Sequence, residues 1–591
     1  MLRAALWLAV AGCLSVPTGK QPQCTKTSDC DTAAGEVCDD GSCWGGPPSG
    51  QFAAVVVPPS TMPDLIYTDI ASEALPTDGA LGAVALASAV QISGRVEAYC
   101  ATPATCADTT LDATVTVTRP ARFAGGPSFS AVATSKGGLA RGIDSFQVAV
   151  PPTAPGDLPF TITVAPDSSG DAPPDNGTTS PAELAPPAQI STTAAGDTEV
   201  GTITLGSETS PVLTGTIVDA NGQPLTKYRV VALGKLGQSA TATEVSTVDF
   251  STDGTYAITL ADGVSGPVTL EALPYDTSVT APTLYATDVA DASGALQLVQ
   301  PDAIGDKLAI AIPITGLSGG GAVVAIAGAH VTVSATYAAA GADAHAVLEA
   351  DTETGSDGLA AVALLDGAAF ATGYTIQVIP PASSELGIYE ATIDLSAIGS
   401  AGVRLPPRLA LSGQVVDANG DGVGSISVTA EPSLRFQWDL DSDGQSFLAQ
   451  IPAPSTVTDS AGAFTLWVDP MIEQAWGYYD LDFSVPQGIA AASWTHSEIA
   501  IPHQAGLAQI ALGNEPLPAT AFMHGTVAGP GGGTVAGGEL RIFQIETDTS
   551  LCSLVEVPPD PCAIPAVEIG DGTSADDGTL QLALPRDPAA P

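Results

Sequence analysis

The chain has 591 residues, more than a single hydrophobic core supports, so we expect several domains. Its 17 Lys and Arg residues stand against 64 Asp and Glu residues, and a net charge of -47 would repel a phosphate backbone, so nucleic acid is not an expected partner. Hydrophobic residues make up 45% and charged residues only 14% of the chain, which is typical of folded domains rather than of a disordered acidic tail.

The first residues have the pattern of a secretory signal. Arg3 precedes a short apolar run, which ends in the small residues of VAGC, Val10 to Cys13. VAGC resembles the lipobox of bacterial lipoproteins, whose cysteine is acylated after cleavage. The resemblance implies a signal peptide over residues 1–12 and a lipid anchor at Cys13 as the contact with the membrane. Because Leu14 follows rather than Asp, it also implies export to the outer membrane or cell surface.

The cysteines indicate an oxidising compartment. The chain has nine, and eight remain when Cys13 is set aside, an even number that predicts disulfides in an exported protein. Four of the eight lie in a Cys-rich segment within residues 13–50, and the others form two local couples: Cys24, Cys30, Cys38 and Cys43; Cys100 and Cys106; Cys552 and Cys562. A zinc site is the alternative for the first four, but they lack any CxxC spacing. The pairing within the segment stays open.

Residues 51–87 contain two strand-like segments, FAAVVVPP (Phe52 to Pro59) and LGAVAL (Leu81 to Leu86). They look like the closing half of a repeat that has no opening half. The complete repeat follows in the rest of the chain.

Two stretches of the chain are nearly the same: LTGTIVDANGQPL, Leu213 to Leu225, and LSGQVVDANGDGV, Leu411 to Val423. Each predicts an alternating strand that enters a tight turn, where Asn and Gly tolerate positive φ. A second hairpin signal follows each stretch, STDGTYAITL in one case and DSAGAFTLWV in the other. Weaker copies of this order begin near positions 92, 314 and 523.

A third predicted strand completes most copies, as in VTLEALP (Val268 to Pro274) and YDLDFSVP (Tyr479 to Pro486). The period is near one hundred residues with about seven short strands, which favours a β-sandwich over a solenoid. Helix signals are nearly absent. We therefore predict an all-β fold with sandwiches over residues 88–210, 211–312, 313–410, 411–516 and 517–591, the last of them incomplete.

The order GxVxDxxGxP, then xDGxYxL, then YxLxVxP resembles the carboxypeptidase regulatory-like domain, a transthyretin-like β-sandwich common in bacterial surface proteins. The residues that carry the resemblance are Gly215, Val218, Asp219, Gly222, Pro224, Asp253, Gly254 and Tyr256, and again Gly413, Val416, Asp417, Gly420, Asp459, Gly462 and Phe464. The resemblance implies tandem Ig/transthyretin-like β-sandwich modules that are noncatalytic and serve in spacing or binding.

Both ends of the array hold half a repeat. We expect residues 51–87 to pack on the first sandwich and the modules to form a linear array. In the alternative, residues 51–87 complete the fifth sandwich over 517–591, which requires a ring-like chain.

Catalytic signals are weak, and we do not expect an enzyme. GLSGG, Gly316 to Gly320, matches the nucleophile elbow GxSxG, but the α/β context and the partner residues of that motif are missing. None of the five histidines has a zinc-binding spacing, and they read as surface or strand residues. A hydrolase is therefore the third-ranked function.

The best metal candidate is DLDSDG, in which Asp439, Asp441 and Asp443 match the start of a calcium loop. Gln450 occupies the twelfth position instead of a bidentate Glu, so any calcium site would be a weak one. The similar DANGDG at Asp417 is explained by a hairpin turn. No other cofactor is expected.

Aromatic residues concentrate in the fourth repeat: Phe436, Trp438, Phe447, Trp467, Trp476, Tyr478, Tyr479 and Trp494. They predict either a large core, which we favour, or a platform on which sugars stack. The favoured function is a lipid-anchored surface array that serves as a stalk, scaffold or adhesin-like binder of a surface protein. The alternative is a carbohydrate-binding protein whose fourth module binds a glycan.

Overall fold

The computed structural model describes residues 24–39, 41–99, 111–121, 127–135, 145–154, 157–167, 185–237, 239, 242–276, 280–290, 295–299, 307–317, 322–338, 344–365, 373–393, 398, 401–433, 435–436, 453–472, 475–486, 489–502, 509–545 and 566–586. Within these ranges the chain is built almost wholly from β-strands, which confirms the predicted fold class. None of the helices described is long and apolar enough to cross a membrane.

The N-terminal region holds a Cys-rich segment and the half-repeat. The segment contains a 3-10 helix, Thr27–Asp29, and a hairpin of β1 (Val37–Asp39) and β2 (Ser42–Trp44). The strands of the half-repeat are β3 (Gln51–Val57), β4 (Leu65–Ile66), β5 (Thr68–Glu73), β6 (Ala80–Ala85) and β7 (Ala87–Ser88).

The first sandwich defines the topology. Its strands are β8 (Val90–Ala98), β9 (Ala113–Arg119), β10 (Phe129–Ser135), β11 (Ser145–Val150), β12 (Phe160–Pro166), β13 (Ala188–Thr192) and β14 (Thr198–Leu205). One sheet has the order β10-β9-β12-β13 and the other the order β11-β8-β14, with β14 parallel to β8. Alternating side chains of both sheets, such as those of β9, fill the core between them.

The second sandwich repeats this order. Its strands are β15 (Val212–Val218), β16 (Tyr228–Leu236), β17 (Thr243–Glu244), β18 (Asp249–Ser251), β19 (Thr255–Thr259), β20 (Val264–Pro274), β21 (Thr283–Val289) and β22 (Ala295–Val299). The sheet β19-β15-β22 faces the sheet that contains β16, β20 and β21.

The third sandwich consists of β23 (Lys307–Leu317), β24 (Val323–Ala325), β25 (His330–Ala338), β26 (Ala344–Glu353), β27 (Leu359–Leu365), β28 (Tyr374–Ile379), β29 (Tyr389–Ile393) and β30 (Val403–Arg404). Its β26 pairs with β21 of the second sandwich, so the two modules share one nine-stranded sheet. Their cores nevertheless form separate clusters.

The fourth sandwich and the C-terminal half of the fifth complete the chain. The fourth has β31 (Leu409–Val416), β32 (Ser427–Pro432), β33 (Ser455–Val457), β34 (Ala463–Val468), β35 (Met471–Ile472), β36 (Ala475–Trp476), β37 (Tyr478–Ser484), β38 (Trp494–Ala500) and β39 (Gln509–Pro516). The C-terminal half has β40 (Thr520–Ala528), β41 (Glu539–Ile545), β42 (Val567–Thr573) and β43 (Thr579–Pro585).

A glycine turn explains why the sequence repeats its DG-type motif. In the second to fifth sandwiches, a glycine at positive φ precedes the strand that pairs antiparallel with the first strand of the module. The carbonyl of this glycine accepts a hydrogen bond from an amide of the first strand. For example, Val415 N donates to Gly462 O at 2.8 Å. A Cβ on Gly462 would lie 2.2 Å from Val415 O, so only glycine fits there. The equivalent glycines are Gly254, Gly358 and Gly578.

The fifth sandwich is assembled from both halves of the split repeat. Its sheets have the orders β42-β41-β3-β5 and β43-β40-β6, with β6 parallel to β40. This is the topology of the first sandwich, with the C-terminal half supplying the first four strands and the N-terminal half the last three.

The expected position of residues 51–87, on the first sandwich at one end of a linear array, is therefore corrected. The first sandwich already has its full set of strands, whereas β3 needs strand neighbours on both sides. It finds them in β41 and β5, so the two ends of the array meet. The half-repeat does touch the first sandwich, because Ile66 and Tyr67 pack against that core.

Candidate functional site

The Cys-rich segment is held by two disulfides, Cys24 to Cys38 and Cys30 to Cys43. This confirms disulfides at four of the eight predicted positions and supplies the pairing that the sequence left open. The zinc alternative is wrong for this arrangement, because sulfur atoms bonded in pairs cannot serve as thiolate ligands. The other predicted positions, Cys13, Cys100, Cys106, Cys552 and Cys562, lie outside the described residues.

The Cys-rich segment docks on the fifth sandwich. The indole of Trp44 stacks on the imidazole of His524 with ring centroids 4.6 Å apart. Gly45 N donates a 2.8 Å hydrogen bond to Phe522 O, and the guanidinium of Arg586 pairs with Glu36. The segment therefore adds an N-terminal clamp to the C-terminal half.

The seam of the fifth sandwich is the set of pairings between its N-terminal and C-terminal halves. Strand β3 pairs antiparallel with β41 from Gln51 opposite Ile545 to Val57 opposite Glu539. Strand β6 pairs with β40 from Ala80 opposite His524 to Ala85 opposite Ala528. Main-chain hydrogen bonds thus join segments that are far apart in the sequence.

Burial of β3 on both faces holds the seam together. Phe52, Ala54 and Val56 point into the sandwich core, where the C-terminal half contributes residues such as Met523 and Leu582. On the opposite face, Val55 packs with Phe543 and Ala566. A strand that is apolar on both faces is a central strand, so neither half has a complete core without the other.

A buried arginine joins the half-repeat to the first sandwich. The side chain of Arg119 is 3% exposed, and its guanidinium lies 3.6 Å from the carboxylate of Asp69 and 3.4 Å from that of Asp157. Beside it, Tyr67 stacks on Phe129 with ring centroids 5.8 Å apart. Burial, followed by the charge of Asp69, raises the pKa of the Tyr67 hydroxyl. The side chains of Arg119, Asp69 and Asp157 are all buried, so water has little access to these ion pairs.

A second buried arginine joins the third and fourth sandwiches. Arg408 Nε donates to Asp469 Oδ2 at 2.9 Å, and both side chains are less than 5% exposed. Ile388 N donates to the other oxygen of Asp469 at 3.0 Å, and Arg408 also donates to Ser384 O. Burial raises the pKa of Asp469, while the positive charge of Arg408 opposes that rise.

The second and third sandwiches are joined through their common sheet. Tyr285 of β21 lies opposite His345 of β26, and the two rings stack with centroids 4.9 Å apart. The Tyr285 hydroxyl donates to Glu271 at 2.8 Å, and burial lowers the pKa of His345. Backbone pairing across the junction limits rotation of one module against the other.

All but one of the described aromatic residues of the fourth module are buried or half-buried, and Trp467, Tyr478 and Trp494 are the half-buried ones. Phe436 and Tyr479 are buried and meet edge to face, and Trp494 stacks on Phe483 at 4.4 Å. Trp476 is the exception, with 47% of its surface exposed. Trp438 and Phe447 lie outside the described residues.

The calcium candidates Asp439, Asp441 and Asp443 lie outside the described residues, so that hypothesis stays a prediction. The related loop at Asp417 is a hairpin turn, as expected. The Asp417 carboxylate accepts hydrogen bonds from the amides of Asp421 and Asn419, which lower its pKa. Its oxygens are thus used by the turn itself.

No catalytic constellation is found in the described ranges. Gly316 and Leu317 belong to β23, and Ser318 lies outside those ranges. Four of the five histidines occupy strands, while His503 is not described: His330, His345, His496 and His524. Within the described ranges, the one group of three metal-ligating residues is Cys24, Cys30 and Cys43, whose sulfur atoms already form disulfides.

The strands and sheet orders define a multi-module β-sandwich protein. No family model and no curated protein matches the chain. Among solved structures it is similar to the shaft pilin SpaA from Lactobacillus rhamnosus GG, at 15% identity over 36% of this chain and 99% of that chain, with a TM-score of 0.17. It is also similar to BcpA, the major pilin subunit of Bacillus cereus, at 7% identity over 52% of this chain and 99% of that chain, with a TM-score of 0.13.

Sequence reasoning missed the residues that join the modules. Arg119, Arg408 and Asp469 received no assignment, although each is a charged residue beside a predicted apolar strand. In a chain with only 17 Lys and Arg residues, an arginine in such surroundings is a usable signal of a buried ion pair. The sequence did not indicate which residue pairs with the arginine, because Arg408 and Asp469 lie in separate segments of the chain.

Proposed function

We propose that the protein is a noncatalytic, exported surface protein that serves as a stalk, scaffold or adhesin-like binder. One observation carries the proposal: the β-sandwiches are joined by buried ion pairs and a common sheet instead of by long flexible linkers. Such junctions hold successive modules at fixed angles, which suits the spacing and presentation of a binding surface. The disulfides of the Cys-rich segment fit an oxidising, extracytoplasmic location.

The anchor at Cys13 can be tested by fractionation. We expect the unmodified chain to incorporate labelled palmitate and to fractionate with the outer membrane. Cys13→Ser should lose the label and the membrane association, whereas Ser15→Ala should retain both. A Cys13→Ser chain that still carried the acyl label would contradict the anchor.

The noncatalytic assignment is tested by esterase and peptidase screens on the purified chain. We expect no turnover above the buffer background. Hydrolysis that is abolished by Ser318→Ala would show that GLSGG is a nucleophile elbow and would overturn the assignment.

Carbohydrate binding is the second candidate, and the exposure of Trp476 favours it. Trp476 lies in the β35–β36 hairpin, two residues before Tyr478, whose ring is covered by the guanidinium of Arg435 at 4.1 Å. A glycan array should show binding that Trp476→Ala removes and Val457→Ala, an exposed control on the same module, preserves. An array without signal for the unmodified chain would exclude this function.

We also propose the weak calcium site at Asp439, Asp441 and Asp443. Calcium at millimolar concentration should then raise the melting temperature of the chain relative to chelator. Asp441→Asn should abolish that rise and Asp421→Asn should not. Identical melting with calcium and with chelator would eliminate the site.

A further inference from the structure

The fifth sandwich is a noncovalent complex between two segments of one chain. Residues 51–88 supply β3, β5 and β6, and residues 520–585 supply β40 to β43. Four other sandwiches separate the two segments in the sequence. In the described residues no covalent bond crosses the seam, which is held by main-chain pairing and apolar packing and is flanked by the contacts of the Cys-rich segment with the C-terminal half.

We propose that this seam also forms between copies, so that the C-terminal half of one chain completes the N-terminal half of a second copy of this chain. The result is a head-to-tail assembly in which a hybrid sandwich connects each chain to the next. The proposal does not depend on the stalk, adhesin or glycan-binding roles.

The contacts at the seam are the same whether they form within one chain or between two. β3 presents a central strand that is buried on both faces, and β41 presents the complementary edge. The N-terminal half contributes Val56 and Leu86 to the core, and the C-terminal half contributes Leu540 and Leu584. These side chains meet only when the seam forms. A hybrid sandwich between two open chains therefore buries the same surface as the fifth sandwich of one closed chain.

The neighbouring junctions are also kept in a head-to-tail assembly. The C-terminal half stays on its own fourth sandwich, where Leu517 N donates to Val416 O at 2.9 Å and Ala492 N donates to Thr520 Oγ1 at 3.2 Å. The N-terminal half stays on its own first sandwich through Arg119 and Asp69. These contacts between adjacent sandwiches are thus retained when the chain opens.

The balance between closed and assembled forms is consequently set by concentration and by the curvature that closure demands. Closure within one chain is favoured because the two halves are tethered at a high effective concentration. Closure is disfavoured to the extent that bending the array into a ring strains the junctions between modules. Head-to-tail contacts are heterologous, so they extend into open chains or close into larger rings. Crowding of copies at a surface favours assembly.

Two complementary variants test the proposal. Val56→Asp disables the N-terminal half and Ile542→Asp disables the C-terminal half, because both side chains are buried in the common core. Neither variant can close on itself, and a mixture can form one intact hybrid sandwich per pair. Light scattering should show each variant alone near 58.8 kDa and the mixture at twice that mass.

Protease protection gives a second readout of the same mixture. In each variant alone, protease should cut both residues 51–88 and residues 520–585. On mixing, residues 520–585 of Val56→Asp and residues 51–88 of Ile542→Asp should become protected. A mixture that stays at the monomer mass, with both halves still cut, would overturn the proposal. Mixing Ile542→Asp with the double variant should give no pair, because no intact seam is available.

If circular dichroism shows that either variant has lost its overall β-structure, the proposal is tested with the unmodified chain instead. Two differently tagged preparations are unfolded with their disulfides intact and refolded together over a series of protein concentrations. We expect particles that carry both tags and whose share rises with concentration. Absence of such particles at every soluble concentration would overturn the proposal.

Discussion

Among the described residues, Arg119, Arg229 and Arg408 are the buried arginines, and two of them lie at junctions between modules. A buried charge is tolerated only where a partner and hydrogen bonds replace water. Arg408 has a charged partner in Asp469 and donates to the carbonyls of Ala382 and Ser384, while its buried Nη2 has no hydrogen-bond partner among the described residues. The ion pair, together with the packing of Ile388 in the core of the fourth sandwich, therefore fixes the third sandwich on the fourth.

Arg408→Met should destabilise the junction between the third and fourth sandwiches by about 3–5 kcal/mol, because Asp469 is left as a buried charge without its partner. Denaturant unfolding of the chain measures the effect. Arg404→Met is the matched control, since Arg404 is exposed on the adjacent strand β30. Equal unfolding curves for the two variants would contradict a structural role of the ion pair.

The acidic face of the fourth sandwich should make stability depend on pH. Asp480 lies opposite Glu431 on paired strands, and burial, followed in effect by the charge of Asp482, raises the pKa of Asp480. A raised pKa means that the folded state holds the proton more tightly than the unfolded state. The stabilisation is thus full below the unfolded pKa and is lost as the pH rises through the folded pKa.

Asp480→Asn should therefore stabilise the fourth sandwich at pH 7 by about 0.5 kcal/mol, since a like-charge pair is removed while the amide oxygen can still accept from Glu498 N. The gain should vanish near pH 3, where the wild-type carboxyl is protonated. Unfolding at both values measures it, with the exposed Asp421→Asn as control. A gain of equal size at both pH values would refute this electrostatic origin.

At the scale of elements, the sequence predicted local features best. The DANG turns, the DG hairpins and the alternating strands depend on residues near each other in the chain, so the pattern alone was sufficient. The strand β41, which pairs with β3, is far from it in the sequence, so the local pattern did not predict this pairing. The unbroken apolar run of β3 from Phe52 to Val57 indicates a central strand buried on both faces, a signal that favours completion of the fifth sandwich over an edge position.

The glycine turn of the fourth sandwich gives a test at this scale. Gly462 and Gly420 both have positive φ, 78° and 85°, so alanine costs about 1–2 kcal/mol at either position from backbone strain. Only at Gly462 would the Cβ also collide with Val415 O, which adds about 1–3 kcal/mol. Thermal unfolding should rank Gly462→Ala well below Gly420→Ala; equal melting temperatures would argue against the close approach.

At the scale of the molecule, the chain is an array whose two incomplete ends complete each other. The sequence could identify both half-repeats, but it could not decide between a linear array and closure. That choice depends on the angles at the junctions between modules, and those angles arise from contacts such as Arg408 with Asp469 and Tyr285 with His345. These contacts join residues of different repeats, which repeat periodicity does not reveal.

Closure of the fifth sandwich by the N-terminal half-repeat is the central claim, and a cross-strand disulfide tests it most directly. Ala54 lies opposite Ile542 on paired strands, a spacing that a disulfide can span. Oxidised Ala54→Cys/Ile542→Cys protein, isolated as the monomer, should yield a disulfide-linked peptide pair from β3 and β41. Ala53→Cys/Ile542→Cys, one residue out of register, should not. Absence of the linked pair from the in-register monomer would contradict the closed fold.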